Sequence, residues 1–160
     1  MDELKVIEIL KNELGFSDSS IKKLKKFHNY LLGYNKRYNL ISKNTEKSIW
    51  NRHILDSAQI IKFIDESNEN NIVDFGSGAG FPGLIIGIYN DNVRFHVKLY
   101  EKSPVKRAFL CNIKEKLDIK NLDIENDVYK KIISANVIVC RAFKKLEEIL
   151  KISREIVKKP

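Results

Sequence analysis

The chain has 160 residues, 29 Lys or Arg against 21 Asp or Glu, a formal charge of +8, and 43% hydrophobic residues. That is one domain of ordinary size with apolar residues enough for a single core, which excludes wholesale disorder; no apolar run nears the roughly 20 residues of a bilayer span. Cys111 and Cys140 lie far apart and outside any metal-like spacing, and acids punctuate the opening MDELKVIEILKNEL, so a disulfide scaffold, a metal site and a secretory leader are not expected and the expected location is cytoplasmic.

The positive surplus rests on 23 Lys and only 6 Arg. It favours a polyanionic partner, since cations release counterions from phosphates. An AT-rich coding bias would produce the same surplus. In chain order, Leu4, Ile7, Leu10 and Leu14 recur at helical steps until Gly15. Ser17 and Asp18 offer caps for a second helix with apolar positions Ile21, Leu24, His28 and Leu31. That helix also carries Lys22, Lys23, Lys25 and Lys26, then Tyr30, Tyr34 and Tyr38 among Lys36 and Arg37. Rings and cations together suit RNA, or equally a solvated face with tyrosines half packed on the core. A third helix is predicted from Asn44 or Thr45 to Ile64, through Ile49, Trp50, Ile54, Leu55, Ala58 and Ile61, with a polar loop from Asp65 to Asn71. Residues 1–65 therefore read as a helical N-terminal cap and 66–160 as a second region.

In that region strands and helices alternate. Strands are predicted over Asn71–Phe75, Phe95–Glu101, Asn121–Asn126 and Asn136–Cys140, with helices over 82–90, from Pro104 to about Lys116, and from Leu146 to Val157. This rhythm gives an α/β fold with a parallel, doubly wound sheet.

The most informative segment is Val73-Asp74-Phe75-Gly76-Ser77-Gly78-Ala79-Gly80-Phe81-Pro82-Gly83. A glycine turn between strand and helix brings backbone N–H groups close to a ligand. Gly78, Gly80 and Gly83 satisfy the dinucleotide fingerprint G-x-G-x-x-G, which would make the chain a nicotinamide-dependent oxidoreductase. The frame D-x-G-x-G-x-G, starting at Asp74, instead suits S-adenosylmethionine, whose ammonium and sulfonium an acid favours and a pyrophosphate would not share. Glu101, closing the next strand, is placed to accept ribose hydroxyls from either ligand. For the acceptor, the chain lacks an (N/D)PP(Y/F) loop, and neither cysteine follows a proline. Amine and pyrimidine-C5 methylation are thereby disfavoured. A ring nitrogen such as guanine N7 needs only in-line placement. Arg141, at the sheet's carboxyl edge, is a natural donor to guanine O6 and N7, or the partner of a local acid.

Asn39-Leu40-Ile41-Ser42, Arg52-His53-Ile54-Leu55-Asp56-Ser57, Gly76-Ser77-Gly78-Ala79-Gly80-Phe81-Pro82-Gly83 and Arg141-Ala142 stand in that order. Together they resemble the motifs of the bacterial 16S rRNA guanine-N7 methyltransferases, the RsmG or GidB family. The resemblance implies a Rossmann-like, S-adenosylmethionine-dependent sheet of about four parallel strands here, order 3-2-1-4, beneath a helical cap. It implies action on 16S rRNA in the 30S subunit, without membrane or metal. It places Asp74, Gly76, Ser77, Gly78, Gly80, Phe81, Glu101, Asp127, Val128 and Arg141 at the cofactor, Arg141 also as the catalytic contact to the guanine, and Arg52, His53 and Asp56 on the cap side. His53 and Asp56, three apart, are expected to pair and brace the pocket. Cys140 stands where the family usually has Ser, Asn136 where Asp is common, and Asn126-Asp127-Val128-Tyr129 where it tends to have Arg-Ala-Glu. Family members continue through three more strands, which implies a core lacking its final strands and an alternative reading as a truncated, inactive RNA- or ribosome-binding relative.

Overall fold

The computed structural model describes residues 1–65, 70–89, 95–130 and 132–158, the side chain of Lys130 excepted. Helix α1 (Glu3–Asn12) starts at Asp2, whose carboxylate accepts the Lys5 N–H at 2.9 Å, and buries Val6 and Leu10. Leu4, expected on that face, is 76% exposed. Helix α2 (Asp18–Tyr38) is capped by Ser17 and buries Ile21, Leu24, Phe27 and Leu31. Phe27 takes the core place expected for His28, which is half-buried beside the Trp50 ring.

The expected third helix is helical but not one regular α-helix. It winds as a 3₁₀ segment (Lys43–Ser48), a π turn (Trp50–Leu55), a short α3 (Asp56–Ala58) and a second 3₁₀ segment (Gln59–Phe63). The buried side chains explain the change of pitch. Ile49 and Ile54, like Trp50 and Leu55, are five apart in the wide turn, whereas Ala58, Ile61 and Ile64 are three apart in the tight one. A constant 3.6-residue pitch would rotate one of these sets out of the core.

The remainder is β1 (Asn70–Phe75), α4 (Gly83–Tyr89), β2 (Phe95–Tyr100), α5 (Pro104–Lys116), β3 (Leu122–Glu125), β4 (Ile133–Ser134), β5 (Val137–Cys140), α6 (Leu146–Ile156) and β6 (Val157–Lys158). The main sheet runs β3-β2-β1-β5, all parallel, which is the expected 3-2-1-4 order with β5 as its fourth strand. The two-residue pair β4 and β6 had no sequence signal of its own. Part of the polar loop (66–69) and the end of the helix predicted over 82–90 (Asn90) lie outside the described residues.

Helix α2 packs on α5 and the glycine turn through rings. Phe27 meets Phe81 edge-on at 5.5 Å, Tyr34 meets Phe109 at 5.0 Å, and the Lys116 ammonium lies 4.9 Å from the Tyr30 ring. Tyr30 and Tyr34 thus serve packing, while Tyr38 is 49% exposed. Register aligns Phe75 with Tyr100 and with Cys140, so the loops leaving β1, β2 and β5 converge at one edge of the sheet.

Candidate functional site at the carboxyl edge of the sheet

The turn after β1 is shaped by positive φ at Gly76 (72°), Gly78 (58°) and Gly80 (102°). A Cβ on Gly76 would lie 2.5 Å from the Phe143 ring, whereas one on Gly78 would meet only the Gly76 carbonyl at 3.9 Å. The Gly76 and Ser77 N–H groups donate to the Tyr100 carbonyl at 2.9 and 3.0 Å, tying the turn to β2. Glu101 follows at once, 7% exposed, its Oε2 accepting the Gly78 N–H at 2.9 Å and its Oε1 the Ser103 N–H at 2.8 Å. Each oxygen keeps a lone pair for a further donor.

Three depressions adjoin along this edge. The first, about 340 Å³, is lined by Gly76, Gly78, Glu101, Asp127, Val128 and Phe143, among others. The second, about 270 Å³, is walled by Leu40, Ile41, Ser42 and Thr45 from the helical side and by Ser77, Phe81 and Arg141 from the sheet. Gly76, Gly78, Lys106 and Ala142 line both, forming a waist between them. A third, open depression on the helical side holds Arg52, His53 and Asp56, with Thr45 and His53 shared with the second.

Arg141 bridges sheet and helical segment. Its Nη1 donates to the Arg52 carbonyl at 3.0 Å and to Asp56 Oδ2 at 3.3 Å, and its Nη2 to His53 Nδ1 at 2.6 Å. The guanidinium lies 5.1 Å from the centre of the Phe81 ring, on which His53 also stacks at 5.0 Å. Because a guanidinium only donates, Nδ1 accepts and His53 is neutral. Burial, then the Arg141 charge, lowers its pKa to about 4, against the opposing pull of Asp56. The expected His53–Asp56 pair is thus replaced by two separate contacts to Arg141.

Asp74 corrects the expectation that its charge faces the ligand. The side chain is fully buried and lines none of the three depressions. Its Oδ2 accepts the Gly83 N–H at 2.9 Å, and burial pushes the acid up to about 7 despite that bond. Strand β1, buried at every residue but Asn71, turns Asp74 under α4, where a Cβ on Gly83 would come within 2.7 Å of the same oxygen. The nested Gly78-Gly80-Gly83 frame fails at its middle glycine, the position whose backbone has to approach a pyrophosphate. Gly80 also lines no depression and packs against Leu84 and Leu110.

Sequence reasoning missed two residues. Asn35, 2% exposed, accepts the Ile41 N–H at 2.8 Å and donates to Glu46 at 2.5 Å, holding the loop that walls the second cavity. Lys106 sits in the first turn of α5, behind the Ser103 cap, and the Ser103-Pro104 helix start was the available signal.

A parallel sheet of this order, a glycine turn after β1 and an acid closing β2 define the Rossmann-like S-adenosylmethionine-dependent methyltransferases. Solved structures of similar fold include a protein-L-isoaspartate O-methyltransferase (TM-score 0.60, 15% identity, 98% of this chain and 52% of that one). Another is M. jannaschii TYW2 in complex with AdoMet (TM-score 0.55, 22% identity, 70% and 51%). More narrowly, residues 20–160 match the GidB family, described as rRNA small subunit methyltransferase G, and the chain belongs to that family. Curated relatives named Ribosomal RNA small subunit methyltransferase G share 39% identity over 137 residues in Rickettsia bellii, covering 85% of this chain and 69% of the relative. The Borreliella burgdorferi relative shares 34% over 146 residues, covering 89% and 69%. S-adenosylmethionine is the cofactor, and the first cavity fits it: a buried carboxylate with free lone pairs, an open glycine face at Gly78, and Val128 and Phe143 as apolar walls. Among the described residues no helix is long and apolar enough to cross a membrane.

Proposed function

We propose that this chain methylates N7 of a guanine in 16S rRNA, working on the 30S subunit in the cytoplasm. In this reading residues 1–65 act as a cap and 66–160 as the methyltransferase core. Glu101, with the turn Gly76-Ser77-Gly78 and with Asp127 and Val128, holds the cofactor, which supplies an activated methyl group. Asp74 and Gly80 support that turn from beneath. Phe81, Arg141, Arg52, His53 and Asp56 form the guanine side.

The observation that carries the reading is the waist joining a cofactor-sized cavity to a second one walled by cap residues. A donor and an acceptor entering from opposite sides meet there. Guanine N7 suits such a site because it has an exposed lone pair and no proton to lose, so proximity suffices. His53 agrees with this, since its Nδ1 is occupied by Arg141 and no general base is required of it. Labelled-methyl transfer to 30S subunits lacking the modification tests the reading, with the product base identified by digestion and chromatography. Incorporation into 7-methylguanine is the expected result. Binding of subunits without incorporation would leave a non-catalytic RNA-binding protein instead.

A further inference from the structure

The waist between the cavities contains one charged side chain, Lys106, and its neighbours there are two glycines and an alanine. No ion pair or side-chain hydrogen bond within the described residues engages its ammonium. Arg141, by contrast, is committed to three acceptors of the chain itself. Resting on the methyltransferase reading above, the chemistry of the acceptor separates these two cations. Guanine presents N7 and O6 side by side as acceptors, whereas adenine presents N7 beside an N6 amino donor. A bidentate arginine on O6 and N7 would occupy the lone pair that has to attack the methyl group. A single-point donor at O6 leaves that lone pair free.

We propose that Lys106 selects the acceptor base by donating from its ammonium to O6 of the purine, so that the site takes a 6-oxopurine and turns away adenine. The ammonium has three donors and no acceptor, so an amino group at position 6 finds no partner there. Its place at the waist puts this contact on the same edge of the base as N7, which only the ring carbons C6 and C5 separate from O6.

The test uses the full chain and small-subunit rRNA carrying guanine, inosine or 2-aminopurine at the target position. Inosine keeps O6 and N7, whereas 2-aminopurine keeps N7 and lacks O6. Wild-type protein is expected to methylate guanine and inosine roughly 10- to 100-fold faster than 2-aminopurine, the worth of one hydrogen bond to a charged group. Lys106→Met is expected to erase that preference by slowing the first two substrates and not the third. Anisotropy titrations of the same RNAs should level in parallel. Calorimetry with S-adenosylhomocysteine should give the wild-type affinity, which also shows that the variant is folded. An equal loss on all three RNAs would overturn the proposal in favour of a phosphate contact. A tenfold loss of S-adenosylhomocysteine affinity would overturn it by assigning the ammonium to the cofactor. A wild-type protein that transfers to none of the RNAs would overturn the methyltransferase reading, and this inference with it.

Discussion

Two buried acids of similar sequence context do different work. Glu101 ends its strand with both oxygens held by backbone N–H groups at the cavity wall, while Asp74 lies beneath the next helix. Glu101→Ala is expected to weaken S-adenosylhomocysteine binding by roughly 1.5–3 kcal/mol, measured by calorimetry, because it removes a charged acceptor. Asp74→Asn should act on stability. The Asp74 acid has an ordinary value of 3.8 and is pushed up to about 7 by burial. Across that window the folded chain keeps a proton that the unfolded chain has released. Its stabilising contribution is therefore complete below 3.8 and lost as pH rises through 7. Asn does not titrate and keeps an oxygen for the Gly83 N–H. In thermal or urea unfolding, the variant should gain on the wild type between pH 5 and 7 by up to roughly 1.4 kcal/mol per pH unit. His53, lowered to about 4, has the opposite sign: its stability is complete above 6.5 and lost as pH falls through 4. It is common to both proteins and leaves their difference unchanged. A gap that stays constant with pH would show that Asp74 is already ionised.

Elements were legible wherever period and punctuation agreed. Ser17 caps α2 and Pro104 opens α5 as their sequences suggest, and β1, the glycine turn after it and β2 were readable from β-branched residues and glycines. The segment from Lys43 to Phe63 was readable as helical but not in pitch, because apolar residues at 49, 50, 54, 55, 58 and 61 fit a 3.6 period almost as well as the wider and tighter turns that form. What fixes it is tertiary: the core takes up these side chains, and Asn35, fourteen or more residues upstream of those positions, ties Ile41 and Glu46 at the segment's start. Asn35→Ala should cost about 1–3 kcal/mol, since the Ile41 N–H and the Glu46 carboxylate each lose a partner in a part-buried place. Glu46→Gln should cost less, because its amide oxygen still accepts from Asn35. Denaturant midpoints of the two variants check the ranking, and equal losses would assign the effect to charge alone.

For the molecule as a whole, the legible part was connectivity and the illegible part was how its halves meet. Of the four motifs read in order between Asn39 and Ala142, the glycine turn and Arg141-Ala142 share one edge because β1 and β5 are parallel and in register, and the two helical motifs line the depressions beside it. No pattern in the chain announces that Arg141 reaches back 85 to 89 residues to Arg52, His53 and Asp56, since a long-range ion pair leaves no local period. The three acceptors lie in different directions around a planar fork, which lysine cannot reproduce with one ammonium. Arg141→Lys should therefore behave nearly as Arg141→Ala. Both should lower stability by about 1–3 kcal/mol, through the unpaired Arg52 carbonyl and His53 Nδ1. Both should abolish methyl transfer, because the wall of the second cavity is no longer fixed against the sheet. S-adenosylhomocysteine affinity should stay within about threefold, since Arg141 lines the second cavity and not the first. Transfer assays, unfolding midpoints and calorimetry on the same two variants separate these effects. Retained transfer in Arg141→Lys would mean that charge, and not the fork, holds the two halves in register.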